Sequence, residues 1–439
     1  MPAPQLRGTL RLPADKSIAH RALLFNAMGR GSAEVSMHRP GADVRSTAAA
    51  LADLGALATV DGDPDDGTPV RHRVTGGATA HHAALPGTAD VALDCGNSGT
   101  LMRLLAGAAT TRAGRTVLVG DDSLSSRPME RIAEPLRAMG ASITTANGHA
   151  PVTVAGGAPL TPTTHLLRVA SAQVLGALTL AAAAADGVTE VTTPGPTRDH
   201  TERLLAFLGA RVERAGHTTT IHGPAIWDCR DIDVPADPSA AAFWLVAGAL
   251  HPDADITLDH VGLNPTRIGV IRVLERMGAR IEVTPADAAG PEPAGTIRVR
   301  SGERLHAVDL GPDDVADVID ELPVLAVAMA GAAGTSTVTG ASELRVKESD
   351  RIALTVAGLQ AIGVAAEELP DGWRITGAPV RTTASGGSAL VITGADHRIA
   401  MAFAIADLVG VGTTDCDVDD PACADVSYPG FFDDMGRLL

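Results

Sequence analysis

The residues best suited to chemistry in this chain are Lys16 and Lys347, the only lysines among its 35 lysine and arginine residues. Where a site needs positive charge alone, a chain this rich in arginine would supply a guanidinium. A position that keeps lysine calls for a compact ammonium, or for one that can release a proton. Each lysine sits in a dense polar stretch: Asp15-Lys16-Ser17…His20-Arg21, and Arg345-Val346-Lys347-Glu348-Ser349-Asp350-Arg351. Further cations stand in Asn97-Ser98-Gly99…Arg103, Arg127-Pro128-Met129, Arg198-Asp199-His200-Thr201-Glu202-Arg203 and His397-Arg398. Two carboxylates accompany them, Asp320 in apolar company (Val318-Ile319-Asp320-Glu321-Leu322-Pro323) and Glu348 itself. Many guanidinium and ammonium groups converging with one or two carboxylates make a site for a polyanionic substrate, with acid–base chemistry inside it.

Other chemistries lack their signatures. There is no G-x-x-x-x-G-K-[ST] loop, no strand-borne G-x-G-x-x-G, no H-E-x-x-H and no G-x-S-x-G. His81-His82 has no third ligand nearby, so it reads as a solvated loop and no metal is expected. The net charge of −17 opposes binding to nucleic acid or acidic membranes. The longest apolar runs, such as 322–334, are too short to span a bilayer. Met1 to Arg7 lacks the apolar core of a signal peptide. The scattered cysteines Cys95, Cys229, Cys416 and Cys423 read as reduced thiols of a cytoplasmic protein. Its expected state is a monomer.

The elements that must carry these residues follow a repeat. The phrase Leu-x-x-[Leu/Met/Ile]-Gly-[Ala/Val] closes amphipathic helical segments at Gly55, Gly140, Gly209, Gly278 and Gly363, with a looser copy at Gly436. Glycine there reads as a helix C-cap, and a short β-like segment follows each of the five. Alternating with them are Ala-rich segments, apolar nearly all round and therefore buried: 17–28, 98–109, 172–184, 238–250, 320–330 and 396–408. Small or polar residues precede each, as good caps and as exposed N–H groups that an anion can use. The pattern predicts six stacked units, three plus three, with the boundary near Val234-Pro235-Ala236-Asp237. The stretches 61–87, 285–295 and 369–387 read as linkers.

Taken together, these motifs resemble the enolpyruvyl transferase family along the whole chain. They stand as Leu12-Pro-Ala-Asp-Lys-Ser-Ile-Ala-His-Arg21, Asp94-Cys-Gly-Asn-Ser-Gly-Thr-Leu-Met-Arg103 and Gly120-Asp-Asp-Ser-Leu-Ser-Ser-Arg-Pro-Met129. They continue through Val169-Ala-Ser-Ala-Gln173, Thr197 to Arg203, Leu263-Asn-Pro-Thr-Arg267, Ile319 to Pro323, Leu344 to Arg351, Asp396-His-Arg398 and Ser427 to Phe432. The resemblance implies an α/β fold: a two-domain inside-out α/β barrel, each domain three β-α-β-α-β-β units with buried helices. Residues 14–234 would form one domain, and 1–13 with 235–439 the other.

It also implies a reaction. Phosphoenolpyruvate and shikimate 3-phosphate would give an enolpyruvyl ether and phosphate through a tetrahedral ketal, with no metal or cofactor. By this resemblance Lys16, Asp320 and Glu348 are catalytic. Lys16, Gly99, Arg127, Gln173, Arg351 and Arg398 would bind phosphoenolpyruvate. Lys16, Ser17, Arg21, Ser171, Ala172, Gln173, Asp320 and Lys347 would bind shikimate 3-phosphate. Arg203 and Arg267 read as surface ion pairs. Ala14 and Ala236 replace glycines at both expected crossings between domains, Arg168 replaces a proline, and Leu175 replaces a lysine expected to face solvent. These departures leave open a related carboxyvinyl transfer to a different alcohol.

Overall fold

The computed structural model describes residues 5–63, 68–287, 290–381 and 387–439. Six helices are buried along most of their length: Lys16–Met28, Gly99–Ala109, Ala172–Ala182, Pro238–Leu250, Leu322–Gly331 and His397–Leu408. Their small side chains explain how they can pack. A Cβ on Gly107 would lie 2.1 Å from the Ala177 carbonyl oxygen, so the second and third of these helices cross nearly backbone to backbone. The side chains of Asp15, Ser98, Ser171, Asp237 and Asp396 cap five of the six by accepting an N–H of the first turn.

Between them run the amphipathic helices Ala42–Asp53, Glu130–Ala138, His200–Leu208, Gly269–Arg276, Arg351–Ala361 and Phe431–Leu438. Gly55, Gly140, Gly209, Gly278 and Gly363, just past the first five, all have positive φ, from 70° to 97°. Only glycine adopts that turn without strain. Gly436 differs: it lies inside Phe431–Leu438, away from any left-handed turn.

Each repeat builds its own sheet. Around Gly99–Ala109, Val91–Asp94 pairs parallel with Gly114–Val119, which pairs antiparallel with His149–Gly156, which in turn pairs with Ser142–Ala146. Five repeats share this four-strand order, and the repeat around His397–Leu408 has two parallel strands, Ser388–Val391 and Asp415–Val418. The sheets stay open and none closes into a barrel. Two leading strands are exchanged along the chain. Leu6–Arg11 pairs parallel with Ala254–Gly262, leading the repeat of Pro238–Leu250. Ile232–Asp233 pairs parallel with Ser32–His38, leading the repeat of Lys16–Met28.

The chain forms two compact units: Ala14–Pro235 with Ala289–Glu292, and the chain up to Pro13 with Ala236–Ala288 and Pro293–Leu439. In the first, the core is almost wholly aliphatic. In the second, Trp244, Phe243, Tyr428, Phe431 and Phe432 form a chain of ring contacts. There Trp244 Nε1–H donates to Tyr428 Oη (2.8 Å), and Tyr428 donates to buried Asp434 (2.8 Å). That pins Phe431–Leu438 against Pro238–Leu250 and satisfies both buried polar tips.

Two sequence expectations need correction. The stretch 61–87 contains the strand Pro69–Thr75, and 369–387 contains Gly372–Gly377. Both alternate buried and exposed residues, a period-two signal that the flanking Gly, Pro and Asp obscure. Residues 64–67, 288–289 and 382–386 of the expected linkers lie outside the described residues. At Ala14 and Ala236 the backbone requires no glycine: both are buried and neither has positive φ. Ala14 N–H donates to His38 O and Asp15 N–H to Pro235 O, both at 2.8 Å. Ala236 N–H donates to His260 O (2.8 Å) and Asp237 N–H to Pro13 O (2.9 Å). No helix among the described residues is long and apolar enough to cross a membrane.

Candidate active site

In the unit built on 14–235, the starts of three buried helices carry the expected anion-binding residues. Lys16 opens the first, and its Nζ lies 3.2 Å from Asp43 Oδ2. One turn further on, Arg21 is almost fully buried. Its guanidinium donates to Thr201 Oγ1 (2.9 Å), Ser17 O (2.9 Å) and Ala172 O (3.3 Å), all neutral oxygens. Burial pulls this group down to about 10, and nearby carboxylates, Glu202 foremost, hold it up. It remains a cation at neutral pH, and a buried cation hydrogen-bonded to neutral groups favours an anionic ligand.

At the second helix start, a Cβ on Gly99 would lie 3.1 Å from Arg103 Nη1 and 3.3 Å from Arg127 Nη1. Glycine leaves that ground open for a ligand under two guanidinium groups. Arg127 Nη2 donates to Asn97 Oδ1 (2.6 Å) and Ser123 Oγ (3.3 Å), while Asn97 donates to Asp121 (2.8 Å). The Arg127 fork is therefore held before any ligand arrives. At the third start, Ser171 caps the helix through Val174 N–H. Gln173 Nε2–H donates to Thr100 Oγ1 (2.9 Å), and its Oε1 accepts from Arg103. Both ends of that amide are thus fixed by the neighbouring helix.

The other unit holds the acid–base cluster, centred on Arg351, which is 1 % exposed. Its guanidinium meets Asp396 (Nε to Oδ2, 2.8 Å), Glu348 (Nη2 to Oε2, 2.7 Å) and Asp320 (Nη1 to Oδ1, 3.7 Å). Burial alone would lower its proton affinity; Glu348, Asp396 and Asp320 outweigh that and raise it. Burial likewise pushes Asp396 upward, and Arg351 overrides it, holding the carboxyl below its ordinary range. Lys347 Nζ lies 3.6 Å from Asp320 Oδ1. Arg398 donates to the Asp320 carbonyl oxygen (2.8 Å), and its own N–H donates to Asp396 Oδ1 (2.9 Å). Asp320 and Glu348 thus share one guanidinium, and an ammonium stands beside the first.

Every residue expected to catalyse or to bind a substrate falls in one of these two clusters. Lys16, Ser17, Arg21, Gly99, Arg127, Ser171, Ala172 and Gln173 belong to the first, and Asp320, Lys347, Glu348, Arg351 and Arg398 to the second. Sequence reasoning gave no role to Asp43, Thr100, Arg103, Asn97 or Asp396. Arg103 and Asn97 stand in a cluster it did name, and Asp396 sits at a helix start. Asp43 carries no local signal, since its partner is 27 residues away.

Two side chains differ from expectation. Arg267 is buried, donating to Asp237 (2.8 Å) and Ser239 Oγ (2.9 Å), so it is an internal clamp instead of a surface pair. Leu175 is 1 % exposed, in the helix face that packs on the core, so a lysine there would not reach solvent. Arg203 does form an ion pair, with Asp199 at 2.8 Å, and is half-buried. Among the described residues no three His, Cys, Asp or Glu side chains gather as a metal-holding group.

The comparisons with known proteins agree along the whole chain. The family model described as EPSP synthase (3-phosphoshikimate 1-carboxyvinyltransferase) matches residues 2–435. A 3-phosphoshikimate 1-carboxyvinyltransferase of Halorhodospira halophila is 46% identical, over 100% of this chain and 95% of its own. One from Alkalilimnicola ehrlichii is also 46% identical, over 99% and 94%. Among solved structures, EPSP synthase from Acinetobacter baumannii superposes with a TM-score of 0.86 at 36% identity, covering 100% of this chain and 97% of that one. The enolpyruvyl transferase NikO from Streptomyces tendae shares the fold, with a TM-score of 0.73 at 19% identity over 99% and 95%.

Proposed function

The chain belongs to the EPSP synthase (3-phosphoshikimate 1-carboxyvinyltransferase) family, and from that premise we propose which of its residues carry the reaction. The enzyme transfers the enolpyruvyl group of phosphoenolpyruvate to the 5-hydroxyl of shikimate 3-phosphate and releases phosphate, a step of the shikimate pathway. The observation that carries the assignment of roles is the pair of carboxylates, Asp320 and Glu348, on the one buried guanidinium of Arg351.

Adding an alcohol across an enol double bond requires a base for the hydroxyl proton and an acid for the methylene carbon. Elimination then takes a proton back from the new methyl group as the C–O bond to phosphate breaks. Asp320 is the base toward the hydroxyl, with Lys347 beside it to steady the charge. Glu348 delivers and recovers the carbon-bound proton. The carboxylate of phosphoenolpyruvate competes for Arg351, and that competition frees Glu348 to carry a proton. Lys16 neutralises the departing phosphate, where a mobile ammonium serves better than a planar fork.

For phosphoenolpyruvate the set in the 14–235 unit is Lys16, Gly99, Arg127 and Gln173; in the other unit it is Arg351 and Arg398. For shikimate 3-phosphate it is Lys16, Ser17, Arg21, Ser171, Ala172 and Gln173 in the first unit, with Asp320 and Lys347 in the second. Arg21 supports the phosphate assignment through its buried charge. The departures at Leu175 and Arg168 fall away from these groups: Leu175 is in the core, and Arg168 is exposed near Glu134 (3.5 Å). The free thiols Cys95, Cys229, Cys416 and Cys423 fit the reducing cytoplasm, and a monomer is proposed. The test is phosphate release from phosphoenolpyruvate. Release that depends on shikimate 3-phosphate is expected, and release that ignores it would refute the assignment.

A further inference from the structure

His20 has no part in the acid–base scheme, yet it sits where three helices of the 14–235 unit meet. It lies one turn after Lys16 in Lys16–Met28 and is 1 % exposed. Its Nδ1 is 2.6 Å from Thr47 Oγ1, and its Nε2 is 3.3 Å from Ser98 Oγ. Thr47 lies one turn after Asp43, the carboxylate 3.2 Å from Lys16 Nζ. Ser98 is the cap of Gly99–Ala109, accepting from Leu101 N–H at 3.2 Å. Thr47 and Ser98 are fully buried as well. One imidazole therefore stands beneath the Lys16–Asp43 pair on one side and beneath the Gly99 helix start on the other.

The chemistry suits a fixed link. Burial, with Lys16 and Arg21 nearby and only partly offset by Asp43, pulls the ring down to about 3, so it is neutral at working pH. A neutral imidazole has one donor and one acceptor. Because Ser98 Oγ already accepts from Leu101, its hydroxyl proton can go to Nε2, leaving Nδ1–H to donate to Thr47. Both ring nitrogens and the Ser98 hydroxyl are then satisfied, and such a network resists sliding of one helix past another.

We propose that His20 is a positioning residue for phosphoenolpyruvate, holding Lys16 and the Gly99 helix start in register through Thr47 and Ser98. The inference rests on the substrate assignment above. Shikimate 3-phosphate shares Lys16 but should depend on His20 less, because its buried cation Arg21 is held separately by Thr201 and two backbone carbonyls.

The test is steady-state kinetics of the full chain with His20→Leu, which removes both hydrogen bonds while keeping similar bulk. At about 1.4 kcal/mol per tenfold, losing two hydrogen bonds predicts a KM for phosphoenolpyruvate raised about tenfold. Calorimetric affinity for shikimate 3-phosphate should stay within about twofold, the scale of a few tenths of a kcal/mol. His20→Gln, whose amide offers an NH2 donor at one end and a carbonyl acceptor at the other, should recover most of the loss. Should His20→Leu fail to fold, Thr47→Val removes one link and should raise the same KM about threefold, with shikimate 3-phosphate affinity unmoved. An active wild type whose variants keep their phosphoenolpyruvate KM overturns the positioning role alone, and so does equal weakening of both ligands. A wild type inactive with both substrates overturns the substrate assignment and this role together.

Discussion

Protonating His20 should unfold the unit around it, and the cost follows from its surroundings. The folded ring is held near 3 against an ordinary 6.5, chiefly because burial penalises the charged form. The unfolded chain therefore binds a proton that the folded chain refuses. Stability from this group is complete above about pH 6.5 and is lost as pH falls toward 3. Between pH 7 and pH 5 the linkage amounts to about 2 kcal/mol, and over the whole interval to about 5 kcal/mol. Other histidines contribute too, so the clean quantity is the difference between wild type and His20→Gln. Trp227 provides the reporter: it is buried in the same unit, and its indole N–H donates to Phe25 O (2.7 Å) in the helix that carries His20. Trp244 and Trp373 lie in the other unit and can be replaced by Phe. Urea titrations followed by Trp227 fluorescence at pH 7 and pH 5 should show wild type losing about 2 kcal/mol more than His20→Gln. Parallel losses in the two proteins would refute the buried, neutral imidazole.

Lys16→Arg keeps the charge but exchanges a compact ammonium for a bulkier planar group, and should abolish most turnover with the fold intact. Circular dichroism with steady-state phosphate release checks it, and near wild-type turnover would contradict the role. Glu348→Gln should slow single-turnover ketal formation roughly 10²–10⁴-fold, the range for a placed proton-transfer group; an unchanged rate would leave Glu348 as a partner of Arg351 only. Leu175→Lys places an ammonium in the core and should cost about 3 kcal/mol or more in urea unfolding. A loss below about 0.5 kcal/mol, the scale of surface substitutions, would show that the side chain escapes to solvent.

What the sequence made legible is what short-range pattern encodes. Gly55, Gly140, Gly209, Gly278 and Gly363 announce five helix ends because no other residue takes that turn cheaply. Asp15, Ser98, Ser171, Asp237 and Asp396 announce helix starts in the same way. What stayed hidden depends on partners far along the chain. The pairing of Lys16 with Asp43, and of His20 with Thr47 and Ser98, has no local signature. A lysine at Leu175 was expected to face solvent although the segment 172–184 reads as buried, and the helix turns that position into the core. Pro69–Thr75 was masked by a glycine- and proline-rich setting, although Val70, His72 and Val74 are all buried.

The strand Leu6–Arg11 leaves the ribosome well before its partner, which begins at Ala254. Until then Leu6, Leu10 and Leu12, each almost wholly covered in the finished protein, have no sheet to join. Each such side chain gains about 1.5–3 kcal/mol from burial, so this stretch of the nascent chain carries a standing apolar liability during synthesis. Residues 14–235 are complete earlier, since nearly all of that unit is one contiguous run that ends with Ile232–Asp233 pairing back onto Ser32–His38. The order of translation therefore favours early folding of the half that bears Lys16. A circular permutant that moves Leu6–Arg11 to the far end of the chain should shorten the wait and yield more soluble protein from cell-free synthesis without chaperones.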